Sequence, residues 1–225
     1  MQKKSKVPLM RSNHLPLILL GAVMTVYGLA AALAATVLSN QAMRGMIAGG
    51  VYKARQTAFD QTASLVAGIL LLALFIWCAV ASKGIVRVGF CFGAMAALMT
   101  MLVGRNEMLP VPSAFSGPVI AILVALPLTI LFILWACGRR VPRGCRWVAF
   151  ISIFIVLAAA IFPTYVILMV SKIPPGDPAI LTVGKLVDVS TNVIKLRYLL
   201  PGLSFLLIAY LSMRFARKNP AMPEG

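Results

Sequence analysis

The chain has 225 residues, of which 61% are hydrophobic and only 12% charged, and its mean hydropathy is +0.96. A soluble fold of this size cannot hide so much apolar surface, because roughly half of its accessible area must still face water; composition therefore excludes an ordinary water-soluble domain and points to lipid as the solvent. The net charge of +16 is dispersed in small groups between apolar runs and accompanies no groove-reading motif, which argues against nucleic acid and for anionic lipid headgroups as the partner of those charges.

A basic tail with Lys3, Lys4, Lys6 and Arg11 precedes the first apolar run, 15–38. A spanning helix needs about 20 mostly apolar residues, so this run is read as a retained anchor. The competing reading is a secretory signal peptide cleaved near Ala34, after the small-residue stretch AALAAT. The following loop mixes Met43, Met46, Ile47 and Val51 with Arg44, Lys53 and Arg55, and Gly49-Gly50 interrupts any long helix there.

The second and third runs, 62–81 and 85–103, are separated only by Ser82-Lys83-Gly84, and together exceed one helix at normal tilt, which predicts a tight hairpin. Gly89, Gly93 and Ala97 form a small-residue stripe on the third run, suited to close helix packing. A loop with Pro110 and Pro112 leads to the fourth run, 118–137, and the basic connection GRRVPRG to the fifth, 147–170. Pro127, Pro163 and Pro201 fall inside the fourth, fifth and sixth runs as candidate helix kinks.

After Pro174-Pro175-Gly176, Asp177-Pro178 reads as a helix start, with Asp able to accept free backbone N–H groups and Pro suited to the first turn. Helical spacing then sets Lys185, Asp188, Asn192 and Lys195 on one face beside a stripe of Leu186, Val189, Val193 and Leu196. This predicts an external amphipathic helix over 178–197 before the last span, 199–215.

Orientation follows from Lys and Arg. Thirteen of the 21 basic residues fall on the side of the two termini, the 82–84 turn and the GRRVPRG connection, and eight on the other, which places both termini in the cytoplasm. Cys78, Cys91, Cys137 and Cys145 then lie on the reducing side, where disulfides are not expected, and they match no zinc spacing.

Catalytic chemistry finds little support. His14 is the only histidine; Asp60, Glu107, Asp177, Asp188 and Glu224 all map to loops, tails or helix ends; no HExxH, GxSxG, GxGxxG or P-loop occurs. The sequence thus predicts a single all-α domain over 1–225, an integral membrane protein of about six spans in one bundle. It predicts no enzyme activity, no cofactor and no metal.

The expected role is protein–protein interaction in a bacterial inner membrane, as an accessory or regulatory subunit of a membrane complex or an immunity- or exclusion-type factor. Its partner, a second membrane protein, would meet Arg44, Lys53, Arg55, Lys185, Asp188, Asn192 and Lys195. The alternative is a small transporter or channel working through the kinked fourth to sixth helices.

Overall fold

The computed structural model describes the backbone of residues 14–45, 51–103, 113–139, 141–170 and 179–218, and the side chains of most positions within 14–33, 62–101, 122–166 and 198–217. The described residues form six α-helices and no strand: α1 (Leu15–Gly45), α2 (Val51–Ala81), α3 (Ile85–Val103), α4 (Ser113–Cys137), α5 (Arg143–Val170) and α6 (Ala179–Lys218). Two stretches, Arg143–Val166 and Tyr198–Arg217, are long and apolar enough to cross a membrane by length and composition. Shorter apolar helical stretches occupy Leu15–Ala31, Leu65–Ala81, Ile85–Met101 and Ile122–Cys137.

Local chemistry explains the helix ends. The first backbone bond of α1 runs from the Ile18 N–H to the His14 carbonyl at 3.1 Å, and Pro16 is tolerated because first-turn N–H groups have no partner inside the helix. The turn between α2 and α3 is closed by Gly84, whose φ of 60° is left-handed and strained for any side-chain-bearing residue. Between α4 and α5, Val141 N–H donates to Gly138 O at 3.0 Å and Arg146 N–H to Pro142 O at 3.0 Å, so Pro142 ends the turn and starts the next helix.

Three helices run further than their apolar segments. α1 continues to Gly45 and α2 begins at Val51, well before the apolar run. The larger difference is in α6, which the sequence reading divides into an external helix and a separate last span. The chain instead forms one helix of 40 residues, passing without a break through 196–199. The physical reason is that Leu196, Arg197, Tyr198 and Leu199 include no Gly, Pro or capping residue, so nothing stops the helix there.

Each helix packs against its neighbours in sequence, and α6 returns to α1, so the six form a ring in chain order. The α1–α6 seam is the most extensive and the α1–α2 seam the slightest. The α1–α6 seam is built on glycine. A Cβ at Gly21 would meet Leu206 Cγ at 2.8 Å, one at Gly202 would meet Thr25 N at 2.6 Å, and one at Gly28 would overlap the Leu199 backbone nitrogen. Each step up α1 is matched by an equal step down α6, which is the register of an antiparallel pair in near backbone contact.

Burial divides the bundle unusually. The interior holds apolar side chains plus Ser82, Thr100, Thr129, Ser152, Ser204 and Ser212, and no charged residue among those described. Thr100, Ser152 and Ser204, as well as Thr25 and Thr164, bond to the carbonyl four residues earlier in their own helix, which satisfies them without an external partner, and Ser82 bonds to the Ala79 carbonyl three residues back. The outside is apolar as well. Val26 and Leu29 on α1, Ile69 and Val80 on α2, Val88 and Leu98 on α3, Leu126 and Ile133 on α4, Phe150 and Phe154 on α5, and Leu203 and Leu207 on α6 all face outward.

Candidate functional site

The seven residues expected to contact a partner fall in the outer parts of three helices. Arg44 is in the last turn of α1, Lys53 and Arg55 in the opening turns of α2, and Lys185, Asp188, Asn192 and Lys195 in the first half of α6. Because α1 and α6 are antiparallel and α2 follows α1, the backbone brings all seven to one end of the ring, away from the α2–α3 and α4–α5 turns. Their side chains lie outside the described residues.

Pro127, Pro163 and Pro201 each sit within a helix that continues on both sides, and Pro127 and Pro201 are buried. The hydroxyls near them differ: Thr164 and Ser204 bond back along their own helices, whereas Thr129 Oγ1 is buried without a hydrogen-bond partner. The small stripe of α3 receives aromatic rings from its own chain. A Cβ at Gly89 would stand 2.5 Å from Trp135 Nε1 on α4, one at Gly93 would overlap the Phe75 ring on α2, and Ala97 is buried beside Gly68.

Those rings belong to a cluster that fills the centre. Phe205 on α6 lies 5.9 Å from Phe75, 5.3 Å from Phe132 and 5.9 Å from Trp135, and Phe90 on α3 lies 4.9 Å from Trp135. All five are at most 1% exposed. Aromatic pairs at these separations add about 0.5–1.5 kcal/mol each to the burial of their area. Toward the opposite end from the turns, the Tyr198 hydroxyl donates to Thr100 Oγ1 at 3.1 Å, and the Tyr27 ring meets Tyr198 edge-on at 4.9 Å.

The turn end is built differently. Arg87, in the first turn of α3, donates from Nε to Ala79 O and Ser82 O, both at 3.0 Å, at the end of α2. Arg146, in the first turn of α5, donates from Nε to Ala136 O at 2.9 Å, at the end of α4. Both hairpins therefore use one device: an arginine at the start of the second helix reaches back to unpaired carbonyls closing the first. Beside the second, Ala136, Arg143, Arg146, Trp147 and Phe150 line an open groove of about 510 Å³. Sequence reasoning counted these arginines only as topology signals. Arg143 and Arg146 alternating with Trp147, Phe150 and Phe154 at helical spacing could have marked the groove, since basic and aromatic residues gather where a helix leaves a membrane.

The remaining titratable groups stand apart. His14 is partly buried with no hydrogen bond to Nδ1, and desolvation lowers its pKa from the usual 6.5. Cys78 and Cys145 are buried and Cys91 and Cys137 exposed, all as free thiols. Among the described residues no group of His, Cys, Asp or Glu could hold a metal ion. No known protein family, curated protein or solved structure matches this chain.

Proposed function

We propose that the chain is a six-span integral protein of a bacterial inner membrane, with both termini cytoplasmic, that acts without catalysis by contacting another membrane protein through its far, non-hairpin end. The observation that carries this reading is the contrast between the two ends and the middle. The middle is apolar outside and aromatic inside, suited to lipid without and to a closed centre within.

Helix length supports the assignment of the contact surface. α1, α2 and α6 have 31, 31 and 40 residues, roughly 46, 46 and 60 Å at 1.5 Å per residue, against a hydrocarbon core of about 30 Å. With the turn end at one interface, the excess of all three helices projects past the other. Those projections carry Arg44, Lys53, Arg55, Lys185, Asp188, Asn192 and Lys195. The closed centre weighs against solute passage through the ring, because a path there would need the five rings to part.

The test is photocrosslinking in native membranes from residues placed at Arg55, Asp188 and Lys195, followed by mass spectrometry. A discrete, reproducible protein adduct at these sites is the expected result. Lipid and self-adducts alone, together with solute flux through the purified protein in liposomes, would overturn it in favour of transport.

A further inference from the structure

We propose that the groove at the α4–α5 turn binds the headgroup of an anionic phospholipid, with an acyl chain lying along α5; the inference rests on the membrane embedding proposed above. Two guanidinium groups share the groove. Arg146 has Nε committed to Ala136 O, which fixes its position while leaving its two terminal amino groups to donate. Arg143, one helical turn earlier, is exposed and lines the same groove.

Among the described side chains no carboxylate meets them. The sequence has no Asp or Glu between residues 108 and 176, and the first turn of α5 has none. Arg139, also exposed, adds to the positive charge at this turn. A fork of two arginines with terminal amino groups free to donate suits the phosphate oxygens of an outside anion.

The rest of the groove selects among phosphates. Its wall is Trp147 and Phe150, 59% and 46% exposed, and Phe154 continues the same strip one turn on, with ring centroids 6.1 Å and then 5.1 Å apart. A small soluble phosphate would leave this strip unused. A lipid places phosphate at the arginines and hydrocarbon on the rings at once, and the volume of about 510 Å³ is in the range of small-molecule sites.

Trp147 allows a direct test. In a Trp77→Phe variant the remaining tryptophans are Trp147, in the groove, and Trp135, which is fully buried. The variant is reconstituted in phosphatidylcholine vesicles doped with brominated phosphatidylglycerol or, separately, brominated phosphatidylcholine. Quenching by the anionic lipid is expected to exceed that by the zwitterionic one, with a preference of about fivefold for each arginine engaged. Arg143→Gln, which spares the Arg146 bond, should lose part of the preference, and Arg143→Gln with Arg146→Gln all of it. Lys83→Gln, at the other hairpin, should keep it.

Equal quenching by both lipids overturns the site while leaving the embedding intact. An equal loss in Lys83→Gln overturns it in favour of a diffuse charge effect. No quenching by either lipid overturns the embedding itself.

Discussion

Tyr198 on α6 donates its phenolic hydrogen to Thr100 on α3, at 3.1 Å, and Thr100 passes its own hydrogen to Ala96 O at 2.9 Å. α3 and α6 are not neighbours around the ring, so this pair ties opposite walls across the interior. Both residues are buried. Tyr198→Phe removes the donor and leaves Thr100 bonded to its own helix, so the expected cost is that of one net hydrogen bond, about 0.5–1.5 kcal/mol. Unfolding of the purified protein in mixed micelles, followed by circular dichroism, measures it. Thr100→Val removes this bond and the one to Ala96 O, so the double variant with Tyr198→Phe should cost no more than Thr100→Val alone, since the bond between the two residues can be lost only once.

The glycines of the α1–α6 seam and the glycine at the start of α5 should respond in opposite ways. A Cβ at Gly28 has backbone in its path, which cannot step aside, and Gly28→Ala is expected to cost about 1–3 kcal/mol through forced separation of the helices. At Gly144 the nearest atom is Leu211 Cδ1 at 3.5 Å, an ordinary contact. Gly144→Ala should be neutral or stabilise by up to about 1 kcal/mol through helix propensity. Denaturant midpoints of the two variants, measured side by side, decide this.

Arg87 spans the end of α2 through three carbonyls, Ala79, Ser82 and, at 3.5 Å, Val80. Arg87→Met keeps the apolar stem and removes the donors; the expected loss is about 1 kcal/mol, modest because the group is exposed. Arg87→Lys should restore only part of it, since an ammonium is a point donor without the planar fork. Thermal unfolding of the three proteins would rank them wild type, lysine, methionine; a lysine variant equal to wild type would show that charge alone suffices.

His14 gives a pH dependence with a definite sign. Burial disfavours its charged form, so the folded-state pKa lies below the unfolded value of 6.5. Above 6.5 both states are neutral and stability is at its plateau. As pH falls from 6.5 toward the folded-state pKa, the unfolded chain takes up the proton first, and stability declines by at most about 1.4 kcal/mol per pH unit. A His14→Gln variant should lack this decline. Unfolding midpoints between about pH 5 and pH 8 test it, and a wild-type profile identical to that of the variant would rule it out.

The order and apolar character of the helices were legible in the sequence because each core is long, uncharged and bounded by turns or prolines. Two things were not. Where helices stop within polar sequence was obscure: the change from charged to apolar character after Lys195 and Arg197 reads as a boundary, although no Gly, Pro or capping residue there ends the helix. Which face of each helix points inward was obscure as well. In a helix apolar all round, nothing in the spacing of Phe132 and Ile133 says that the first is fully buried and the second 42% exposed. Arg44, Lys53, Arg55, Lys185, Asp188, Asn192 and Lys195 lie far apart in the sequence, and that their backbone positions share one end of the ring follows only from the antiparallel register of α1 and α6. The groove beside Arg146 depended on a hydrogen bond to Ala136, ten positions back in the chain, which no periodicity reveals.

The circular order of the helices has a consequence for biogenesis. Around the ring, every seam but one joins helices that are consecutive in the chain, so each helix can dock on its predecessor as it is made. The exception joins the first helix to the last. Until α6 has been made, Gly21 and Gly28 of α1 lack Leu206 and Leu199 as neighbours. The glycine seam is thus the clasp of the ring, and a chain that stops short of α6 would remain an open arc.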